Sequence, residues 1–323
     1  MLPLPVSQPQ QRSFHNKIVA RDGNILPGLQ SRARITNLSL ILLSSLAFFS
    51  VVLNMNVWIS RSPGPPTSIL STINSDRNFD SLDHLIIVPG HAIWNGVSAK
   101  HRLDENLWTL EPYQKNSGRV EAFYQHISYA AQLALQDKRA VVVFSGGQTR
   151  QQTTTTEAES YHRLAMQANL LPPDFMRATT ENYALDSYQN LLFSIARFHE
   201  YTGVYPGMIT VIGYEMKRKR FTDLHREAVR WSHQQFEYIG IDNSNLQENV
   251  IAQEGEVSSL MRTYTETSND MYHCHSKLLQ KRMTRNHHRR YHPYHTSSPE
   301  LSELLEWCPA GRTLYNGMLP WTE

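Results

Sequence analysis

Apolar and polar positions divide the chain into one long uniform stretch and a series of short alternating ones. Residues 35–60 carry no charge between Arg34 and Arg61, and 16 of the 22 positions from Leu38 to Ile59 are apolar. A bilayer core takes about 20 such residues as a helix, and a helix satisfies its own backbone in hydrocarbon. We read 35–60 as a transmembrane signal anchor. The competing reading is a buried core helix, which rarely stays uncharged for so long. Further on, His84–Pro89, Ala140–Phe144, Met208–Ile212 and Phe236–Ile241 are short apolar runs. Between them, Gly118–Gln136, Glu157–Leu170, Ala184–Thr202 and about Lys217–Trp231 read as helices, with Phe123, Ile127, Ala130, Ala131 and Ala134 on one face of the first. Strands apolar on both faces, separated by helices, imply a parallel sheet covered on both sides. The expected fold is α/β, a Rossmann-like three-layer sandwich with a mostly parallel sheet, preceded by one transmembrane helix.

The expected domain layout is a basic N-terminal segment (1–34), the signal anchor (35–60), a linker (61–82), the Rossmann-like domain (83–272) and a basic, histidine-rich C-terminal arm (273–323). Arg12, Lys17, Arg21, Arg32 and Arg34 precede the span against Asp22 alone, whereas Arg61 and Arg77 follow it against Asp76, Asp80 and Asp83. Cations concentrate on the cytoplasmic side of such spans. The expectation is a single-pass protein with its N-terminus cytoplasmic and its domain lumenal in the endomembrane system. The basic, acid-poor N-terminus leaves a mitochondrial membrane as the alternative.

Charge changes the picture little. Lys and Arg total 31 and Asp and Glu 29, a formal charge of +2, so no bulk-charge case for nucleic-acid binding exists. Six of the 15 histidines lie between His273 and His295. Without an anchoring helix these give no ground for a metal site, and a solvated arm, or one touching anionic lipid, is the expectation. Cys274 and Cys308 leave two readings open, a disulfide in an oxidising lumen or two buried thiols.

Candidate chemistry lies where parallel sheets bind ligands, beyond the C-terminal ends of the strands. There the first run leads into Pro89-Gly90-His91, the second into Ser145-Gly146-Gly147 and the third into Gly213-Tyr214-Glu215-Met216-Lys217, followed by Arg218, Lys219 and Arg220. Ser145, Gly146 and Gly147 read either as backbone donors to an anion or as a tight turn. Lys217 and Arg220, three residues apart, are placed to converge on one phosphate or carboxylate, with His225 two turns further along. Asp186, Ser187 and Asn190 share a helix start, as ligand contacts or as caps. Glu157 opens another helix, where an acid also suits the helix dipole. His91 and Glu181 are the proton-transfer candidates.

Together these segments resemble the SanA/YdcF-like family, known as domain of unknown function 218, over about Asp83 to Ile241. The resemblance rests on Ile86-Ile87-Val88-Pro89-Gly90-His91, Ser145-Gly146-Gly147, Glu157-Ala158, Glu181 with Asp186, Ser187 and Asn190, and Gly213-Tyr214-Glu215-Met216-Lys217 with Arg220. Asp186 stands where the family has Asn, Ser187 where it has Thr, Ala184 where Ser is usual, and Lys217 where it has His. Pro-Gly-His-Ala-Ile-Trp and the ending from Pro299 to Trp321 look like a fungal membrane-protein branch. The resemblance implies a Rossmann-like sheet and a polar cleft. Bacterial relatives are associated with the cell envelope, and one with S-adenosylmethionine. No cofactor follows from the residues themselves, and the usual Gly-rich first turn of S-adenosylmethionine-dependent methyltransferases is missing. The expected partners are the bilayer, through one helix, and an anionic small molecule bearing phosphate or a nucleotide. The expected activity is transfer or hydrolysis in envelope or glycan metabolism. A non-catalytic ligand sensor or membrane scaffold is one alternative, and an S-adenosylmethionine-binding protein, which the resemblance implies, is another.

Overall fold

The computed structural model describes residues 32–60, 79, 81–242 and 261–322. Two compact units are present, Met1–Ser62 and Pro63–Glu323. In the first, helix α1 (Arg32–Ser60) contains the apolar segment Thr36–Met55, whose side chains are exposed. It is long and apolar enough to cross a membrane, as an anchor or a signal sequence. The expected basic segment before residue 32 and most of the expected linker lie outside the described residues.

The second unit is built on a five-stranded sheet of β1 (His84–Pro89), β4 (Ala140–Ser145), β5 (Ala178–Glu181), β6 (Met208–Gly213) and β7 (Phe236–Gly240). Its order is β5-β4-β1-β6-β7 and every pairing is parallel. A small antiparallel pair, β2 (Ile93–Trp94) and β3 (Trp108–Thr109), stands beside it. The chain steps outward from β1 to β4 and β5, then returns to the other side of β1 with β6 and β7. The order reverses between β1 and β6, and there two neighbouring connections depart to opposite faces and leave a crevice.

Period-two alternation in the strands fills both faces. Leu85, Ile87, Val141, Val143, Ile209 and Val211 are buried in one core, and Ile86, Val88, Val142 and Phe144 in the other. Helices α2 (Arg119–Gln136) and α3 (Glu157–Gln167) cover the second face with Phe123, Ile127, Tyr161 and Leu164. Helix α4 (Ser187–Thr202) covers the first with Leu191, Leu192, Ile195 and Phe198. Local signals set the ends. Thr156 and Glu159 form a capping box on α3, and Gly203, at φ +83°, takes the left-handed turn that stops α4. The next helix, α5 (215–228), opens with a 3-10 turn at Glu215–Lys217, widens into a π turn over Arg220–His225 and closes at Arg226–Ala228.

Two expectations need correction. The strand β5 and the hairpin β2–β3 were not anticipated. Ala178-Thr-Thr-Glu181 is an edge strand with only alternate residues buried, so it lacks the all-apolar signature. The C-terminal arm is not a separate solvated segment. Met271, Tyr272, Tyr294, Leu301, Leu304, Tyr315 and Leu319 are buried in the first core. Helix α6 (261–269), helix α7 (Ser276–Arg285) and two short turns, α8 (Tyr294–Ser297) and α9 (Ser302–Leu305), carry the chain through this region. Abundant histidine and arginine mask the aromatic and leucine residues that do the packing. Cys274 and Cys308 form a disulfide with Cα atoms 5.8 Å apart, across a separation of 34 residues. Closing a loop of that length stabilises by roughly 3–4 kcal/mol in the chain-entropy picture. Cys308→Ser is therefore expected to lower the unfolding free energy by about that amount in a urea titration; an unchanged midpoint would show that the bridge constrains nothing.

Candidate functional site

Strand register brings distant residues to one rim. Pro89 pairs with Ser145, and Ser145 pairs with Glu181, so the C-terminal ends of β1, β4 and β5 lie in line. At the β1–β6 crevice a cleft of about 160 Å³ opens, lined by Gly90, His91, Glu157, Asp186, Ser187, Asn190, Lys217 and Arg220 among others. A void on the order of 150 Å³ holds a benzene-sized molecule. Ser145, Gly146, Gly147, Glu181 and His225 do not line it.

The Ser-Gly-Gly turn is structural. The Gly146 amide donates to Glu181 O (2.9 Å), the Gly147 amide to Ala184 O (2.7 Å) and the Gly90 amide to Ser145 O (2.6 Å), so none of these donors is left for an anion. What the glycines supply is room. A Cβ on Gly90 would lie 2.5 Å from Glu157 Cβ, and one on Gly146 would lie 2.7 Å from Glu157 Oε2. Glu157 is wedged between these two turns and accepts from Thr149 Oγ1 at 2.5 Å, while Arg150 Nη2 lies 3.9 Å from the same carboxylate oxygen.

Behind the wall of the cleft lies a buried polar network. Glu181 is fully buried and accepts from Ser145 Oγ (2.7 Å), the Tyr183 amide (2.7 Å) and Tyr294 Oη (3.2 Å). Ser145 Oγ also lies 2.9 Å from Asn190 Oδ1, which links the network to the cleft. Burial pushes the Glu181 carboxyl up to about 7, against the opposing pull of these hydrogen bonds. Glu181 thus reaches the ligand space indirectly, through Ser145 and Asn190 and through the Ala184 amide, which donates to its Oε2 at 3.3 Å. His91, in contrast, faces the cleft. Its Nδ1 is 2.6 Å from Gly90 O, and its ring stacks on Tyr214 with centroids 5.2 Å apart. Burial first, then Lys217 and His126, hold its imidazole well below the ordinary range, so it is neutral.

Asp186 does not serve a ligand. Its Oδ1 caps α4 by accepting from the Gln189 amide (2.9 Å), and its Oδ2 pairs with Arg282 Nε (2.5 Å) and His273 Nδ1 (3.0 Å). Burial alone would raise this carboxyl, but Arg282 and His273 outweigh it and hold it well below the usual carboxylate range. His225 is buried on the π turn, with Nε2 2.8 Å from Ser187 Oγ, and acts as a strut between α5 and α4.

The cations are the ligand-facing groups. Lys217 and Arg220 line the cleft as the sequence suggests, and α7 adds Lys281 and Arg285, which it does not. Among the described residues, none of the four forms an ion pair with a carboxylate. Arg285 donates to Leu185 O (2.8 Å), and Arg220 Nε is buried with no hydrogen-bond partner. Partial desolvation against the cleft, then Arg285 and Arg220, push the amine of the otherwise exposed Lys281 down to about 8, and burial with Arg220, Lys281 and Arg285 holds Lys217 well below its usual value. Arg119 at the start of α2 also lines the cleft. Lys281 and Arg285 are one turn apart on a helix whose Leu278 is buried, and that spacing is the signal that could have found them. The sulfonium and ammonium groups of S-adenosylmethionine would find no free carboxylate in this lining, since Glu157 and Asp186 are already engaged.

Glu181 has a testable signature. A carboxyl raised in the folded state from 4.5 to about 7 binds a proton there that the unfolded chain has already lost. Its contribution to stability is therefore present at low pH and disappears as pH rises from about 4.5 through 7. Replacing it with the uncharged Glu181→Gln is expected to remove on the order of 3 kcal/mol of stability loss between pH 5 and 8. Matched pH slopes for the two proteins in denaturant titrations would contradict this.

No family model and no solved structure matches the chain. The chain is 30% identical over 264 residues to a Saccharomyces cerevisiae protein called Uncharacterized protein YOR238W. The aligned region covers 67% of this chain and 87% of the yeast protein. At that identity and coverage, this chain and the yeast YOR238W protein belong to one family.

Proposed function

We propose that this chain is a membrane-anchored, Rossmann-like protein whose cleft binds an anionic, phosphate- or nucleotide-bearing small molecule. The observation that carries the reading is the group of basic side chains Lys217, Arg220, Lys281 and Arg285, without carboxylate partners among the described residues, gathered at the β1–β6 reversal. Gathering like charges in a partly desolvated cleft is unfavourable until a counter-charge arrives. The planar guanidinium groups of Arg220 and Arg285 suit phosphate oxygens, while Lys217 and Lys281 add point donors. The size of the void favours a phosphoryl group with a few attached atoms inside, with any base or larger group outside.

Transfer or hydrolysis of the bound group is favoured over a passive ligand sensor by one arrangement. His91 is neutral, faces the same space and lies beside Lys217, as a general base must. The placing of Pro89-Gly90-His91, Glu157 and Lys217 around one cleft supports our assignment to the SanA/YdcF-like family, and the yeast relative supports its fungal branch. For topology we propose a cytoplasmic N-terminus and a lumenal domain in the endomembrane system. The cation bias before the span and the Cys274–Cys308 disulfide both support it.

Calorimetric titration of the detergent-purified full-length protein with sulfate tests the binding reading. Arg220→Ala is expected to weaken sulfate by about tenfold or more, roughly 1.4 kcal/mol, and Lys217→Ala by less. Affinity is expected to fall as pH rises through about 8, where Lys281 loses its proton; sulfate keeps its own charge over this range. Equal affinity in wild type and both variants would refute the assignment.

A further inference from the structure

Lys217 differs from its three cationic neighbours in what it touches. Its Nζ lies 3.3 Å from Nδ1 and 3.4 Å from Nε2 of His91, and 5.8 Å from the centre of the Tyr214 ring. It thus lies against an imidazole and an aromatic face, and no carboxylate pairs with it among the described residues. The tautomer of His91 follows from Gly90. Nδ1 sits 2.6 Å from that carbonyl oxygen and donates to it, which leaves Nε2 as the acceptor nitrogen of the ring, 3.4 Å from Lys217 Nζ. On the cleft side of Lys217 stand Arg220, Lys281 and Arg285.

Resting on the reading that this cluster holds an anionic group, we propose that Lys217 Nζ is a nucleophile that forms a Schiff base with the carbonyl carbon of a small aldehyde or ketone bearing a phosphate or carboxylate. The anionic end sits against Arg220, Lys281 and Arg285, which orients the carbonyl toward the amine. The Nζ lone pair attacks the carbonyl carbon, the C=O electron pair moves to oxygen, and the first of the two Nζ protons passes to that oxygen through His91 Nε2, giving a carbinolamine. His91 Nε2 then accepts the second Nζ proton and delivers it to the departing hydroxyl as the C–O bond breaks. One water leaves and the C=N bond remains. Amines act in this way when desolvation and neighbouring cations keep them unprotonated. Burial, then Arg220, Lys281 and Arg285, hold the Lys217 amine well below the ordinary lysine range, the protonation state the attack needs. The same amine still donates N–H bonds to an anion. In place of a lysine at this position the SanA/YdcF-like pattern has an imidazole, which forms no Schiff base, so the proposed step is particular to the residue this chain carries.

Glycolaldehyde phosphate with sodium cyanoborohydride, applied at low concentration to the full-length protein, tests the step. Reduction fixes any imine as a secondary amine that peptide mass spectrometry locates. Lys219 and Lys277 are exposed and serve as internal references. Lys217 is expected to label about tenfold or more faster than either, excess sulfate to suppress its labelling, and His91→Gln to slow it. Lys217→Arg is expected to lose the label while labelling of Lys219 and Lys277 is unchanged. If sulfate binds but Lys217 labels no faster than Lys219, the nucleophile is disproved while the anion site stands. If sulfate does not bind and labelling is unselective, both fall.

Discussion

The arrangement depends on one buried carboxylate. Asp186 begins α4, accepts from the Gln189 amide and pairs with Arg282 and His273 from the C-terminal region. Removing one partner of such a buried pair leaves an uncompensated charge, which costs about 3–5 kcal/mol. The pair therefore does more than add stability. It fixes where α7 lies relative to the sheet, and α7 carries Lys281 and Arg285 into the crevice. With α7 elsewhere, the crevice would lose Lys281 and Arg285 and keep Arg119, Lys217 and Arg220.

The division of labour among polar residues follows from this frame. Groups with a full set of protein partners, such as Glu157, Glu181 and Asp186, shape the walls. Groups without a counter-charge face the void. The acids are spent internally and the bases are not, which gives the cleft its sign although the whole chain carries a formal charge of only +2. Local electrostatics here is a product of topology, since the four cations come from two helices separated in sequence by the described strand β7 and the segment beyond it.

Much of this was legible in the sequence because it is local. The all-apolar runs at β1, β4 and β6 announce a parallel sheet, and the turns after them announce the rim. What stayed hidden is long-range. The one-turn spacing of Lys281 and Arg285 puts them on one helix face, but that this face meets Lys217 rather than water depends on Met271, Tyr272 and Leu278 finding a core made by other strands. The glycine turn misled for a similar reason. Gly146 and Gly147 have amides suited to an anion, but Glu181 O and Ala184 O, more than thirty residues away, claim them first. Strand β5 escaped notice because an edge strand with half its residues solvated resembles a polar loop.

The π turn at Arg220–His225 has an evolutionary implication. An ordinary helix advances about 100° per residue, and a π turn accommodates one residue more than an α turn would. Losing a single residue there would let the helix relax to regular winding while rotating everything downstream by roughly that angle. Arg220 toward the crevice and His225 toward Ser187 belong to opposite ends of the widened turn, so no regular helix presents both. Length in this segment should accordingly be inherited as strictly as residue identity, and a relative lacking one residue there would have had to rebuild the strut or surrender the arginine.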